Sequence, residues 1–166
     1  MTSISPFRLK QIVGVSDAKV FTNKEDVLVT YGLRTGVAVV AVDMDAQIYG
    51  MLHFQLPCYH DDKTSKVKNP LMYADTGMDY ILAKMSHEGA NITKLRISVV
   101  GGAYSASSGR YKDLGRHNYN AIRRYLWVHD LLIHAEDCGG KNPRNIFCDM
   151  ETAAVTVKCK GDMLEI

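Results

Sequence analysis

The chain has 166 residues, 46% of them hydrophobic, which is the size of one domain with a proper core. Twenty Lys and Arg against eighteen Asp and Glu leave a net charge of +2, far from the basic excess that drives binding to a phosphate backbone, so nucleic acid is excluded as the expected partner. Four cysteines, at 58, 138, 148 and 159, are too irregularly spaced for a small disulfide scaffold and read as reduced thiols of a cytoplasmic protein. The N-terminal stretch MTSISPFRLKQIVGV lacks the apolar core and cleavage site of a leader, and no apolar run approaches the roughly 20 residues that span a bilayer.

In chain order, residues 11–21, 27–33, 37–42 and 47–55 are rich in Val, Ile, Tyr and Phe and read as strands, with a first turn at Asn23-Lys24-Glu25-Asp26. The segment VAVVAV at 37–42 is apolar on both faces and predicts a strand covered on both sides. Residues 60–69 are polar and read as a long loop, within which the basic run KTSKVK at 63–68 is a solvated segment. From Tyr73 the period changes. Met78, Ile81, Leu82 and Met85 recur at helical spacing, Asp75 supplies an N-terminal charge, and Gly89 ends the helix.

Residues 95–100 return to strand and end in Gly101-Gly102, read as a place where backbone crowds beneath the site region; no P-loop pattern follows the pair. A second helix is expected over 116–129, with Ile122, Tyr125, Leu126 and His129 on its apolar stripe and Arg123-Arg124 outside. Further strands are expected at 131–135, 145–148 and 154–160. The whole predicts a layered α/β sandwich of mainly antiparallel strands with two to three helices, forming one domain over 1–166.

The segment DMDA at 43–46 reads as a two-residue hairpin turn with Met44 and Asp45 at its tip. That register sets Gly36 directly opposite His53, with Cβ positions roughly 5 Å apart. A thiol at 36 would then touch the imidazole of His53, the separation at which His accepts a thiol proton and a thiolate attacks an acyl carbon. A one-residue slip would send one of the two side chains to the other face.

The runs TYGLRTGV, GMLHFQLP, YADTGMDYIL, VVGGAYSA, LGRHNYNAI and AEDCGG, in this order along nearly the whole chain, resemble the chemoreceptor glutamine deamidase family CheD. Its members carry T-x-G-L-G-S-C-V, an apolar strand, and G-x-x-H-x-x-L-P. The resemblance implies that Thr30 stands at the orienting threonine, His53 at the catalytic base, and Gly36 at the nucleophilic cysteine. Arg34-Thr35-Gly36 replaces Gly-Ser-Cys. Glycine has no side-chain lone pair, so covalent acyl transfer at position 36 is excluded. The expectation is a binding protein of chemotaxis that has lost deamidase chemistry. The partners implied are the cytoplasmic domains of methyl-accepting chemoreceptors and a CheC-type phosphatase.

The alternative is an active deamidase that uses another thiol, with Cys58 in LPCYHDD as the candidate. Cys138, Cys148 and Cys159 read as packing residues. His53, Cys58, His60, Asp61 and Asp62 include metal-ligand types but lack the spacing of a zinc signature, so neither metal nor cofactor is expected.

Overall fold

The computed structural model describes residues 8–22, 25–64, 68–106 and 108–166. Half of the first turn, Asn23-Lys24, and the middle of the 63–68 basic run lie outside them. Among these residues ten strands form two five-stranded sheets. The first sheet has the order β1 (Lys10–Ile12), β3 (Val27–Leu33), β8 (Arg144–Asp149), β9 (Val155–Cys159), β10 (Asp162–Glu165); the second has β2 (Asp17–Thr22), β5 (Ile48–Phe54), β4 (Val37–Asp43), β6 (Arg96–Gly101), β7 (Ile133–Cys138). Pairing is antiparallel except between β1 and β3 and between β6 and β7. Helices α1 (Ala74–His87) and α2 (Leu114–Val128) complete the α/β fold.

The alternation of side chains along β4 explains the layering. Val37, Val39 and Ala41 pack with Met78, Ile81 and Met85 of α1 and with Ile122 and Leu126 of α2. Ala38, Val40 and Val42 point the other way, against Leu28, Ile146, Cys148 and Val157 of the first sheet. All seven residues of β4 are buried, as expected for a strand whose two faces are both apolar. The order is therefore helices, second sheet, first sheet.

The hairpin register differs from the sequence reading. Ala38, and not Gly36, lies opposite His53, and Val37 pairs with Phe54. The turn is wider than two residues because the Asp43 carboxylate accepts the N–H groups of Asp45 and Ala46, and Gln47 closes it with φ of 55°. The displacement is an even number of residues, so every side chain keeps its face. Gly36 becomes the diagonal neighbour of His53.

Three further corrections concern element limits. The stretch read as one strand over 11–21 is two, β1 and β2, broken at a turn where Ser16 takes φ of 56°. His129 is not on the apolar stripe of α2; it is exposed, caps the helix end and stacks on Tyr125 at 4.0 Å between ring centroids. Residues 162–165 form β10, whose four exposed side chains carry no alternation to read.

Candidate active site

Two strands and a turn meet at the site. Thr30 comes from β3 in the first sheet, His53 from β5 in the second, and Gly36 from the turn that leads from β3 into β4. A register shift in the β3–β8 ladder between Thr30 and Leu33 marks the point where the chain leaves the first sheet for the second. Thr30 and His53 are both buried, so their polar atoms must find partners inside the sandwich.

They find each other. The Thr30 hydroxyl donates to the Val13 carbonyl at 2.7 Å, and His53 Nδ1 lies 2.9 Å from Thr30 Oγ1. A hydroxyl has one proton, and here it is committed to Val13. Thr30 Oγ1 therefore accepts from Nδ1–H, which fixes the tautomer and leaves the Nε2 lone pair bare. Nε2 faces position 36: a Cβ placed on Gly36 would sit 3.2 Å from it and 3.0 Å from the Phe54 carbonyl oxygen. A side chain at this position would begin in contact with the ring.

Burial pushes the His53 pKa down from 6.5 to about 4. A thiolate at position 36 would act in the opposite direction by stabilising the imidazolium. With glycine there, desolvation is unopposed and the ring is neutral at pH 7.

The turn before β4 is held by its main chain. The Arg34 carbonyl accepts Ala103 N–H at 2.7 Å, the Gly36 carbonyl accepts Gly102 N–H at 2.9 Å, and the Thr35 carbonyl accepts Asn118 Nδ2 at 2.9 Å. Asn118 Nδ2 also donates to the Gln55 carbonyl at 2.8 Å, so α2 ties the start of β4 to the end of β5. Gly101 lets the backbones come this close, since a Cβ there would collide with the Gly36 carbonyl oxygen and φ is +121°. This is the crowding expected of the Gly101-Gly102 pair.

Sequence reasoning gave Asn118 no role. Its signal is positional, because an Asn shares a helical stripe with Ile122 and Leu126 at i+4 and i+8, and all three are buried. A polar residue on that stripe has to be hydrogen-bonding something.

Three of the chain's thiols sit where the thiolate is disfavoured. Cys58 donates to the Asp75 carboxylate at 3.1 Å; burial and then this bond push its pKa up. Burial pushes Cys138 and Cys148 up to about 12. Of the group His60, Asp61 and Asp62, Asp62 turns inward to accept the Tyr73 hydroxyl at 2.6 Å and Thr64 N–H at 3.0 Å. Among the described residues no three His, Cys, Asp or Glu side chains converge as a metal set.

The arrangement is a neutral imidazole, oriented by a threonine and aimed at a strand-entry position that holds glycine. The family model described as CheD chemotactic sensory transduction matches residues 55–159. The chain is 34% identical over 155 residues to the probable chemoreceptor glutamine deamidase CheD of Solibacter usitatus, covering 93% of this chain and 92% of that protein. It is 36% identical over 152 residues to the probable chemoreceptor glutamine deamidase CheD of Caldanaerobacter subterraneus, covering 90% and 92%. To the chemoreceptor glutamine deamidase CheD of Thermotoga maritima it is 31% identical over 160 residues, covering 95% and 98%. The chain belongs to the CheD family.

Proposed function

We propose that this chain is a single-domain, cytoplasmic member of the CheD family that works in chemotactic signalling by binding and does not deamidate glutamine. The single observation that carries the reading is the vacant nucleophile position: His53 Nε2 faces Gly36, 3.2 Å from where a Cβ would be, with no thiol to deprotonate. Thr30 and His53 hold the positions of orienting group and base, and their hydrogen bond supports a retained frame whose covalent step has been lost.

The partners proposed are the cytoplasmic domains of methyl-accepting chemoreceptors, after the substrate that the relatives' names give, and a CheC-type phosphatase. On this reading the chain occupies a partner surface as a competitor or scaffold. The alternative of a Cys58-dependent deamidase has the hydrogen bond to Asp75 against it, since a carboxylate neighbour disfavours the thiolate that attack requires.

The test is to incubate the purified chain with a chemoreceptor cytoplasmic fragment, measure binding by calorimetry, and count Gln-to-Glu conversions by mass spectrometry. Binding without conversion is expected. Conversion that disappears in Cys58→Ala would establish the alternative.

A further inference from the structure

The outer face of α2 has no part in the candidate site, and its charge is one-sided. Its sequence LGRHNYNAIRRYLWV holds three arginines and no carboxylate, in a chain whose overall charge is only +2. Gly115, Asn118, Ile122 and Leu126 face inward, while Arg116, Asn120, Arg123, Arg124, Trp127 and Val128 are exposed. Arg116 is paired with Asp113 at 3.1 Å. Arg123 and Arg124 have no carboxylate partner among the described residues; Glu136, which shares a cleft with Arg123, accepts the Tyr119 hydroxyl with both oxygens at 2.9 Å.

The helix ends in an apolar tip. Trp127 is 82% exposed, Val128 66% and Leu132 74%. They stay outside because the turn takes Leu131 inward instead: its N–H donates to the Leu126 carbonyl at 2.9 Å and its side chain is buried. Lys94 and His134 share a cleft with Leu132, with Asp130 the carboxylate there, and Asp45 lies 3.9 Å from Lys94.

We propose that this end of α2 is a docking surface for an anionic lipid bilayer, with Trp127, Val128 and Leu132 entering the headgroup region and Arg123 and Arg124 on lipid phosphates. The dimensions fit. One helical turn of about 5.4 Å separates the arginines from Trp127 and Val128, matching the roughly 5–10 Å to which interfacial helices bury their apolar groups. An indole is amphipathic and concentrates at the headgroup level, where arginine can bond phosphate. A bilayer is favoured over an acidic protein because the apolar side chains project from a turn. A fluid surface accepts projecting groups without shape matching, whereas a protein partner gains from close complementarity. This is attachment to a surface: among the described residues no helix is long and apolar enough to cross a membrane. The proposal does not depend on the state of the nucleophile position.

Trp127 is the only tryptophan of the chain, so intrinsic emission reads this tip directly. The experiment titrates the full chain with vesicles of phosphatidylserine and phosphatidylcholine, and with vesicles of phosphatidylcholine alone, following emission wavelength, acrylamide quenching and co-sedimentation. A blue shift with protection from quenching is expected on the anionic vesicles, weakened by salt. Arg123→Gln and Arg124→Gln each reduce affinity by about fivefold, the worth of one basic residue near an anionic leaflet. Trp127→Ala and Leu132→Ala also weaken co-sedimentation, and as exposed residues they leave the unfolding midpoint unchanged.

Absence of a shift on anionic vesicles at low salt, or equal binding to both vesicle types, overturns the proposal. So does a Trp127 shift produced by a chemoreceptor fragment or CheC-type phosphatase without lipid and not by vesicles, which would make the tip a protein contact.

Discussion

Lowering the pH from 7.5 to 5 will cost the fold about 2 kcal/mol through His53, and His53→Gln will remove that dependence. The folded-state pKa is about 4 and the ordinary value 6.5, so the complete shift is worth about 3 kcal/mol, of which about two-thirds has been lost at pH 5. The sign follows from which state takes up the proton first. Above pH 6.5 the ring is neutral in both states and the full contribution is present; between 6.5 and 4 the unfolded chain protonates and the folded one does not; below 4 both are charged. The other five histidines are exposed, and Asp43 and Asp149, held below the carboxylate value of 3.8 by hydrogen bonds that outweigh desolvation, lose their contribution below this window. Urea unfolding at constant ionic strength from pH 7.5 to 4.5 gives the slope. In parallel, the His53 ring resonances should not titrate above about pH 5. Equal pH slopes for wild type and His53→Gln, or a ring that titrates near 6.5, would refute the assignment of a buried, neutral base.

Gly36→Cys will fold with a stability within about 1 kcal/mol of wild type, since the tight contacts of its Cβ oppose the gain from restricting the unfolded chain. Iodoacetamide labelling across pH should place its thiol pKa below the ordinary 8.5; an unshifted value would contradict the pairing with His53. Because the carbonyls of Arg34, Thr35 and Gly36 are all held, adding Arg34→Gly and Thr35→Ser should raise turnover on a receptor fragment by opening access and leave the thiol pKa as in the single variant. Asn118→Ala should cost about 2–4 kcal/mol in urea unfolding, by leaving the Thr35 and Gln55 carbonyls without their shared donor; a loss below 1 kcal/mol would show that the clamp is replaceable. Cys58 in the wild type should label slowly at pH 7, and Asp75→Asn should speed it.

What could be read in advance was local. VAVVAV announced a strand covered on both faces, and the spacing of Met78, Ile81 and Met85 announced α1, because burial imposes those periods directly on the chain. The side on which residues 36 and 53 lie was also legible, since parity survives an even displacement of register. The register itself was not, because it depends on the Asp43 side chain organising a four-residue turn, a choice that DMDA does not declare. Nor was the division of Thr30 and His53 between two sheets, which rests on pairing between strands far apart in sequence. Asn118 escaped for the same reason: its two acceptors belong to segments 83 and 63 residues away.

Whether the frame around His53 persists without a nucleophile is reached most directly by mass spectrometry of glutamines in a chemoreceptor cytoplasmic fragment incubated with the wild-type chain. Binding of the fragment with no Gln-to-Glu conversion above that of the fragment alone is the predicted result. Conversion by the wild type that is abolished in His53→Gln would contradict it, because the imidazole would then be serving a nucleophile that Gly36 cannot supply.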